Sequence, residues 1–252
     1  MTPTPDERPV LLCRVDIPPR HQADVDAWMP KHFDDSLRHG VMTSVASYEV
    51  VRDWGEGGLP AVFNREATRF IPYVATDLES LVEWVDSPAA KEAIEDGVDR
   101  EAQYPAIEDE PFNGSIMEVV EVRGAVGEDF VGRSPILVER FHVGDADSGE
   151  FDAWLNGRYL EQAVAWPGVV RLRTFRAAPG IPQRWPYDRY QGKGNRMLWA
   201  DLDEDADLVE AARSEAVRRS LSESVEWDLR LPYVVRDACR NMILRTKADI
   251  GT

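Results

Sequence analysis

Asp26-Ala27-Trp28 in the first half of the chain returns as Asp152-Ala153-Trp154 in the second, and the spacing, 152 − 26 = 126, is half of the 252 residues. The same displacement carries Leu11-Leu12-Cys13-Arg14-Val15 onto Leu137-Val138-Glu139-Arg140-Phe141. Gly40-Val41 returns as Gly168-Val169, and Leu81-Val82-Glu83 as Leu208-Val209-Glu210, at spacings of 128 and 127. Matches that keep one order and nearly one spacing mark an internal duplication. The reading is two repeats, residues 1–126 and 127–252.

Each repeat reads as strand, helix, strand, strand, helix, strand. In the first, Val10–Asp16 is β-rich, and residues 22–38 carry Val25, Trp28, Met29, Phe33 and Leu37 at helical spacing. Gly40 is placed to end that helix. Strands are expected at 41–51, 69–76 and 115–123, and a second helix at 78–98. In the second repeat, strands are expected at 136–143, 169–176, 196–202 and near 242–246, with helices at 150–164 and 206–225. A βαββαβ unit is ferredoxin-like, with helices on one face of its antiparallel sheet. The bare face must be covered. Two units in one chain can pack their sheets face to face as an intramolecular α/β barrel, an α+β fold.

Composition narrows the function. With 29 Lys+Arg against 46 Asp+Glu the net charge is −17. That opposes a nucleic-acid partner or an anionic membrane surface. No apolar run reaches the ~20 residues of a membrane span, and the N-terminus lacks a signal-peptide pattern. Two cysteines, Cys13 and Cys239, make neither a disulfide framework nor a four-cysteine zinc site. A cytoplasmic protein is expected.

The segments Phe151-Asp152-Ala153-Trp154, Tyr159-Leu160, Pro167-Gly168-Val169-Val170 and Arg173-Thr174-Phe175-Arg176 resemble the dimeric α/β-barrel superfamily, closest to its EthD-like and antibiotic-biosynthesis-monooxygenase-like branches. Asp26-Ala27-Trp28, His32, Gly40-Val41 and Asp86-Ser87-Pro88-Ala89-Ala90 carry the likeness in the first half. The resemblance implies a pocket between sheet and helices for a small, often aromatic molecule. Members include cofactor-free monooxygenases, cyclases, isomerases and haem enzymes, so it implies no single reaction.

Candidate site residues follow. His32, one helical turn after Trp28, matches the helix-one histidine of the EthD-like pattern and suits a general base. Asp34, Asp35 or Glu49 would orient it. Its counterpart at 126 residues is Arg158. Arg14 and Arg140 occupy matching, same-facing strand positions and could hold an oxyanion; ion pairing between sheets, with Glu49, Glu118 or Glu139, is the competing use. Tyr48 or Tyr73 would donate a hydrogen bond. His142, on the face of Arg140, joins Arg140 as a substrate-binding candidate. So do Trp185 and Tyr187, in a loop with Arg184, Arg189 and Tyr190 that could close over an aromatic anion. Cys13 reads as buried and inert, and Cys239, near Arg236 and Arg240, as core or activated thiol. No metal-ligand spacing occurs. Haem would need His32 or His142 as axial ligand, because 206–225 contains no histidine.

The expected function is cofactor-independent acid–base chemistry (isomerisation, cyclisation, elimination or oxygenation) on an aromatic or polyketide-like molecule. A non-catalytic small-molecule binder and a haem enzyme are the alternatives. A fused barrel is compatible with a monomer or a homodimer.

Overall fold

The structure is a computed structural model that describes residues 7–51, 68–102, 112–124, 135–181 and 194–250. The strands are β1 (Val10–Val15), β2 (Met42–Val50), β3 (Arg69–Ala75), β4 (Phe112–Gly124), β5 (Ile136–His142), β6 (Val169–Ala177), β7 (Arg196–Leu202) and β8 (Tyr233–Thr246). All neighbours are antiparallel. They close into a barrel in the order β1-β3-β2-β8-β5-β7-β6-β4. Each half contributes four strands in the same internal order, β4-β1-β3-β2 and β8-β5-β7-β6 read along the two arcs. Besides opposing their faces, the two sheets pair at their edges, through β2·β8 and β4·β6. The expected α+β barrel of two ferredoxin-like repeats is therefore present. The boundary expected at 126 lies outside the described residues.

Alternation sorts the side chains into three compartments. Val10, Leu12, Tyr48, Phe70, Ile136, Val138, Phe175 and Trp199 fill the barrel. Leu11, Cys13, Ile71 and Tyr73 face the first-half helices, and Leu137, Phe141, Leu172 and Ala200 those of the second.

Helix α1 (Gln22–Arg38) runs through Pro30 without a break and ends at Gly40, whose φ of +77° suits glycine. The first repeat's second helix differs from the expectation of one helix. It is α2 (Leu78–Asp86) and α3 (Pro88–Ala102), parted at Ser87 with ψ 154°. Pro88 disfavours a helical residue before it, and Ser87 Oγ then caps the new helix by accepting from the Ala90 N–H. The second repeat breaks at the matching place, 214 − 87 = 127, into α6 (Leu208–Arg213) and α7 (Glu215–Arg230). Ser214 has ψ 155° and caps through Val217 N–H, with no proline present. The serine cap is the shared cause. The second repeat's first helix is α4 (Ser148–Trp154), a π-helical turn (Leu155–Tyr159) and α5 (Leu160–Ala163). Strand β8 begins nine residues before the expected 242. No described helix is long and apolar enough to cross a membrane.

The repeated Asp-Ala-Trp segment now has a structural reason. Asp26 accepts from Arg69 at the start of β3, at 3.0 and 3.2 Å. Asp152 accepts from Arg196 at the start of β7, at 2.5 and 2.9 Å. The arginines are again 127 apart, so one clamp ties the first helix to the third strand in both halves.

Gly124 tests the β4·β6 closure. Its φ is +97°, and a Cβ there would lie 2.4 Å from the Val170 carbonyl oxygen. Gly124→Ala is expected to lose at least about 2 kcal/mol in urea denaturation, from the left-handed backbone plus the backbone overlap. Gly144→Ala, with nothing within 4 Å, is the control and should stay within about 0.5 kcal/mol.

Candidate functional site

The first-half chamber is built where α1 crosses the outer face of β3. The helical repeat places Trp28 and His32 on one side of α1, with ring centroids 4.4 Å apart and planes 27° apart. Alternation turns Tyr73 of β3 outward to meet them. His32 Nε2 and Tyr73 Oη share a hydrogen bond of 3.1 Å. Phe33 meets the Tyr73 ring edge-on at 5.9 Å. Trp28 is fixed by donating its indole N–H to Asp96 of α3, at 2.9 Å. Small groups lie beneath: Cys13 of β1 pairs in register with Gly114 of β4.

His32 is half-buried. Burial pushes its pKa down to about 4, and Asp96 and Asp35 only partly oppose this. The imidazole is therefore neutral near pH 7, able to accept a proton. The carboxylates expected to orient it are engaged elsewhere. Asp35 pairs with Arg38 at 2.6 Å, Asp34 faces Arg245 at 3.6 Å, and Glu49 lies 4.0 Å from Arg69. Tyr73 takes their place.

The other candidates divide by compartment. Tyr48 does not join His32. It points into the barrel, edge-on to Trp199 at 5.9 Å and Phe70 at 6.2 Å. Burial and then Asp201 push its hydroxyl far above the ordinary range, so it stays protonated. Arg14 and Arg140 share matching positions as expected, but these too face the barrel. Arg14 donates to Asp237 at 2.8 Å and to Tyr233 Oη at 2.7 Å, with both ion-pair partners buried. The interior ion pair is the use the structure shows, and its partner is Asp237 instead of the glutamates expected. Arg140 donates to Ser115 Oγ at 3.0 Å and lies against Gly194, which has φ +100°. His142 is exposed at the end of β5. Trp185 and Tyr187, with Arg184, Arg189 and Tyr190, lie outside the described residues.

Both thiols are buried. Cys239 faces the barrel, where burial and Asp237 push its thiol well above the ordinary value, so Arg236 and Arg240 do not activate it. No group of three or more His, Cys, Asp or Glu among the described residues could hold a metal ion. The two histidines considered for haem sit in unlike places, His142 exposed at the end of β5 and His32 packed against Trp28 and Tyr73. His32 Nε2 is engaged by Tyr73 and one ring face by Trp28, while α6 and α7 carry no histidine.

Sequence reasoning missed one cluster. Glu139, Tyr159, Arg236, Asp228 and Ser224 form a polar network in the second-half chamber. In the sequence Glu139 stands beside Arg140 and reads only as an ion-pair partner. A separate cleft of about 510 Å³ opens at the α2/α3 break, lined by His39, Ser80, Glu83, Trp84, Ser87 and Pro88 among others.

No family model matches the chain, and no curated protein matches it. Solved structures match its shape. An anthrone oxidase-like protein aligns over 100% of this chain and 97% of its own, at 12% identity and a TM-score of 0.63. A monooxygenase candidate from Fusobacterium nucleatum subsp. nucleatum aligns over 96% and 95%, at 10% identity and 0.56. Another from Lactobacillus acidophilus aligns over 96% and 97%, at 10% identity and 0.50. At such identities the likeness is one of fold. The chain has the dimeric α/β-barrel fold, with both halves in one polypeptide.

The depressed His32 pKa carries a pH signature. The folded value of about 4 lies below the ordinary 6.5, so the unfolded chain takes up the proton first as pH falls. This contribution to stability is constant above pH 6.5 and is lost progressively from 6.5 down to 4. An NMR titration should find His32 titrating near pH 4. The stability difference between wild type and His32→Gln should shrink over that interval; a His32 midpoint near 6.5 would contradict the assigned environment.

Proposed function

We propose that the chain is a small-molecule enzyme performing cofactor-independent acid–base chemistry at the His32–Tyr73 pair, on an aromatic or polyketide-like substrate. The observation that carries this reading is a neutral imidazole 3.1 Å from a tyrosine hydroxyl, walled by Trp28 and Phe33. Such walls suit a flat aromatic molecule. A substrate oxygen entering between the two groups would accept from Tyr73 Oη while His32 Nε2 takes the neighbouring C–H or O–H proton. The product of that step is an enolate or phenolate held by the tyrosine and by the new imidazolium. Isomerisation, cyclisation, elimination or oxygenation can each start from such an anion. The anthrone oxidase-like fold neighbour makes anthrones a rational first test compound, because the methylene between two aryl rings and beside a carbonyl is acidic for carbon.

One observation favours a second reading, a binding protein without turnover. Arg14 and Arg140 face the barrel, so neither offers a cation to an anion beside His32.

The experiment is turnover of an anthrone and of hydroxylated naphthalenes, followed by absorbance and by oxygen uptake. His32→Ala should lower kcat/KM by about 10²–10⁴-fold, and Tyr73→Phe by about 10–100-fold, as expected for losing one oxyanion donor. Wild-type binding without product formation, with affinity reduced in His32→Ala, would select the binding protein.

A further inference from the structure

The second half carries its own copy of the chamber, and its contents are of a different kind. Glu139 stands 126 residues after Cys13, and its register partner on β8 is Arg236 where Cys13 has Gly114. Two small groups are thus replaced by a long ion pair. The helix side is altered as well. His32 follows Trp28 by four residues, but the π-helical turn Leu155–Tyr159 inserts one residue after Trp154. Tyr159, not Arg158, therefore takes the place of His32. Its ring lies 4.5 Å from Trp154 at 31°, nearly the geometry of His32 on Trp28. Arg158 is turned outward and pairs with Glu223.

The polar groups of this second chamber bind one another. Tyr159 Oη donates to Glu139, 2.8 Å from Oε2 and 3.0 Å from Oε1. Arg236 donates from Nε to Glu139 at 3.1 Å, from Nη1 to Asp228 at 3.0 Å, and from Nη2 to Asp228 at 2.7 Å and Ser224 at 2.9 Å. Aromatic rings surround them: Trp166 lies 6.3 Å from Tyr159, and Trp227 and Phe151 flank Trp154 at 5.9 and 5.3 Å. Glu139, Tyr159 and Arg236 are each at most 5% exposed. Burial pushes Glu139 and Tyr159 upward in pKa, with Arg236 opposing, which keeps the tyrosine a donor. A ligand entering here would have to part a buried ion pair and leave its charges unmatched, which is strongly unfavourable.

We propose that the second chamber has changed from a ligand site into an internal polar keystone joining the π-helical turn, α7, β5 and β8, so that each chain has one small-molecule site, in the first half. The location of that single site rests on the His32 reading above; the keystone does not.

The probe is 1-naphthol, a fluorescent phenol, titrated calorimetrically into wild type, Tyr159→Phe, Glu139→Gln and His32→Ala, with melting curves for all four. Wild type should bind one naphthol per chain. Tyr159→Phe and Glu139→Gln should keep that stoichiometry and affinity within about twofold, yet lose roughly 5–10 °C in Tm, as hydrogen bonds to a buried charge are removed from a chain of this size. His32→Ala should weaken binding at least tenfold and melt within a few degrees of wild type. Two naphthols per chain, or tenfold weaker binding in Tyr159→Phe, would overturn the keystone. So would a Tm loss below about 2 °C in both second-half variants. If Tyr159→Phe cannot fold, the stabilising role is upheld, and wild-type stoichiometry with Glu139→Gln decides occupancy. No naphthol binding in any form would overturn the His32 reading alone, leaving the melting curves to judge the keystone.

Discussion

A four-stranded sheet with helices on one side has a bare apolar face and two unpaired edges, and both are unfavourable in water. The duplication resolves the two problems together. The second sheet covers the bare face of the first, while β2·β8 and β4·β6 pair the edges. Closure requires each half to supply a complete four-stranded sheet of matching width, which a tandem repeat provides. The Asp26–Arg69 and Asp152–Arg196 clamps then hold the first helix of each half on the outside of its own sheet.

Closure also decides where chemistry can take place. The barrel interior holds Arg14, Arg173, Asp201 and Asp237, all buried to 2% exposure or less. Buried charges persist when paired and hydrogen-bonded. Arg14 meets Asp237, while Arg171 and Arg173 meet Asp201 at 2.9 and 2.5 Å. Trp199 adds its indole N–H to the same aspartate. Arg14–Asp237 and Arg140–Ser115 link strands of opposite halves, so the arginines that resemble substrate ligands in the sequence belong to the joint between the sheets. The His32–Tyr73 pair of the proposed site lies instead between the sheet and the helices, on the outer side of the barrel.

Much of this was legible in the sequence. The ordered matches, the glycine after α1 and the β-rich runs identified the repeats and nearly every strand within a residue or two, because periodicity records which face is buried. Strand β8 was largely hidden because Arg236, Asp237 and Arg240 interrupt its apolar pattern, and a buried ion pair looks in sequence like a solvated one. The breaks at Ser87 and Ser214 escaped notice because a serine inside an otherwise helical pattern costs little, whereas its capping geometry is visible only in three dimensions. Arg14 and Arg140 were correctly placed on one face, but sequence alternation cannot say which face looks inward. The equivalence of His32 with Arg158 failed for a specific reason: a constant spacing assumes an unbroken 3.6-residue helix, and the π-helical turn shifts the register by one.

The low pKa of His32 also constrains the kind of substrate that suits the proposed reaction. A base near 4 is a weak proton acceptor in the empty site. A substrate anion formed about 4 Å from the imidazolium changes that, because opposite charges at this distance attract by about 4 kcal/mol at an effective dielectric constant near 20. That attraction corresponds to roughly three pKa units, moving the histidine from about 4 toward neutrality as the proton arrives. The gain exists only if the negative charge stays next to the ring. A phenol or enol whose oxygen remains on Tyr73 satisfies this, while a carbon acid that delocalises its charge far into a distant ring does so less well. In the proposed reaction, proton transfer and anion retention would thus be a single electrostatic event, the tyrosine that holds the oxygen making so weak a base adequate.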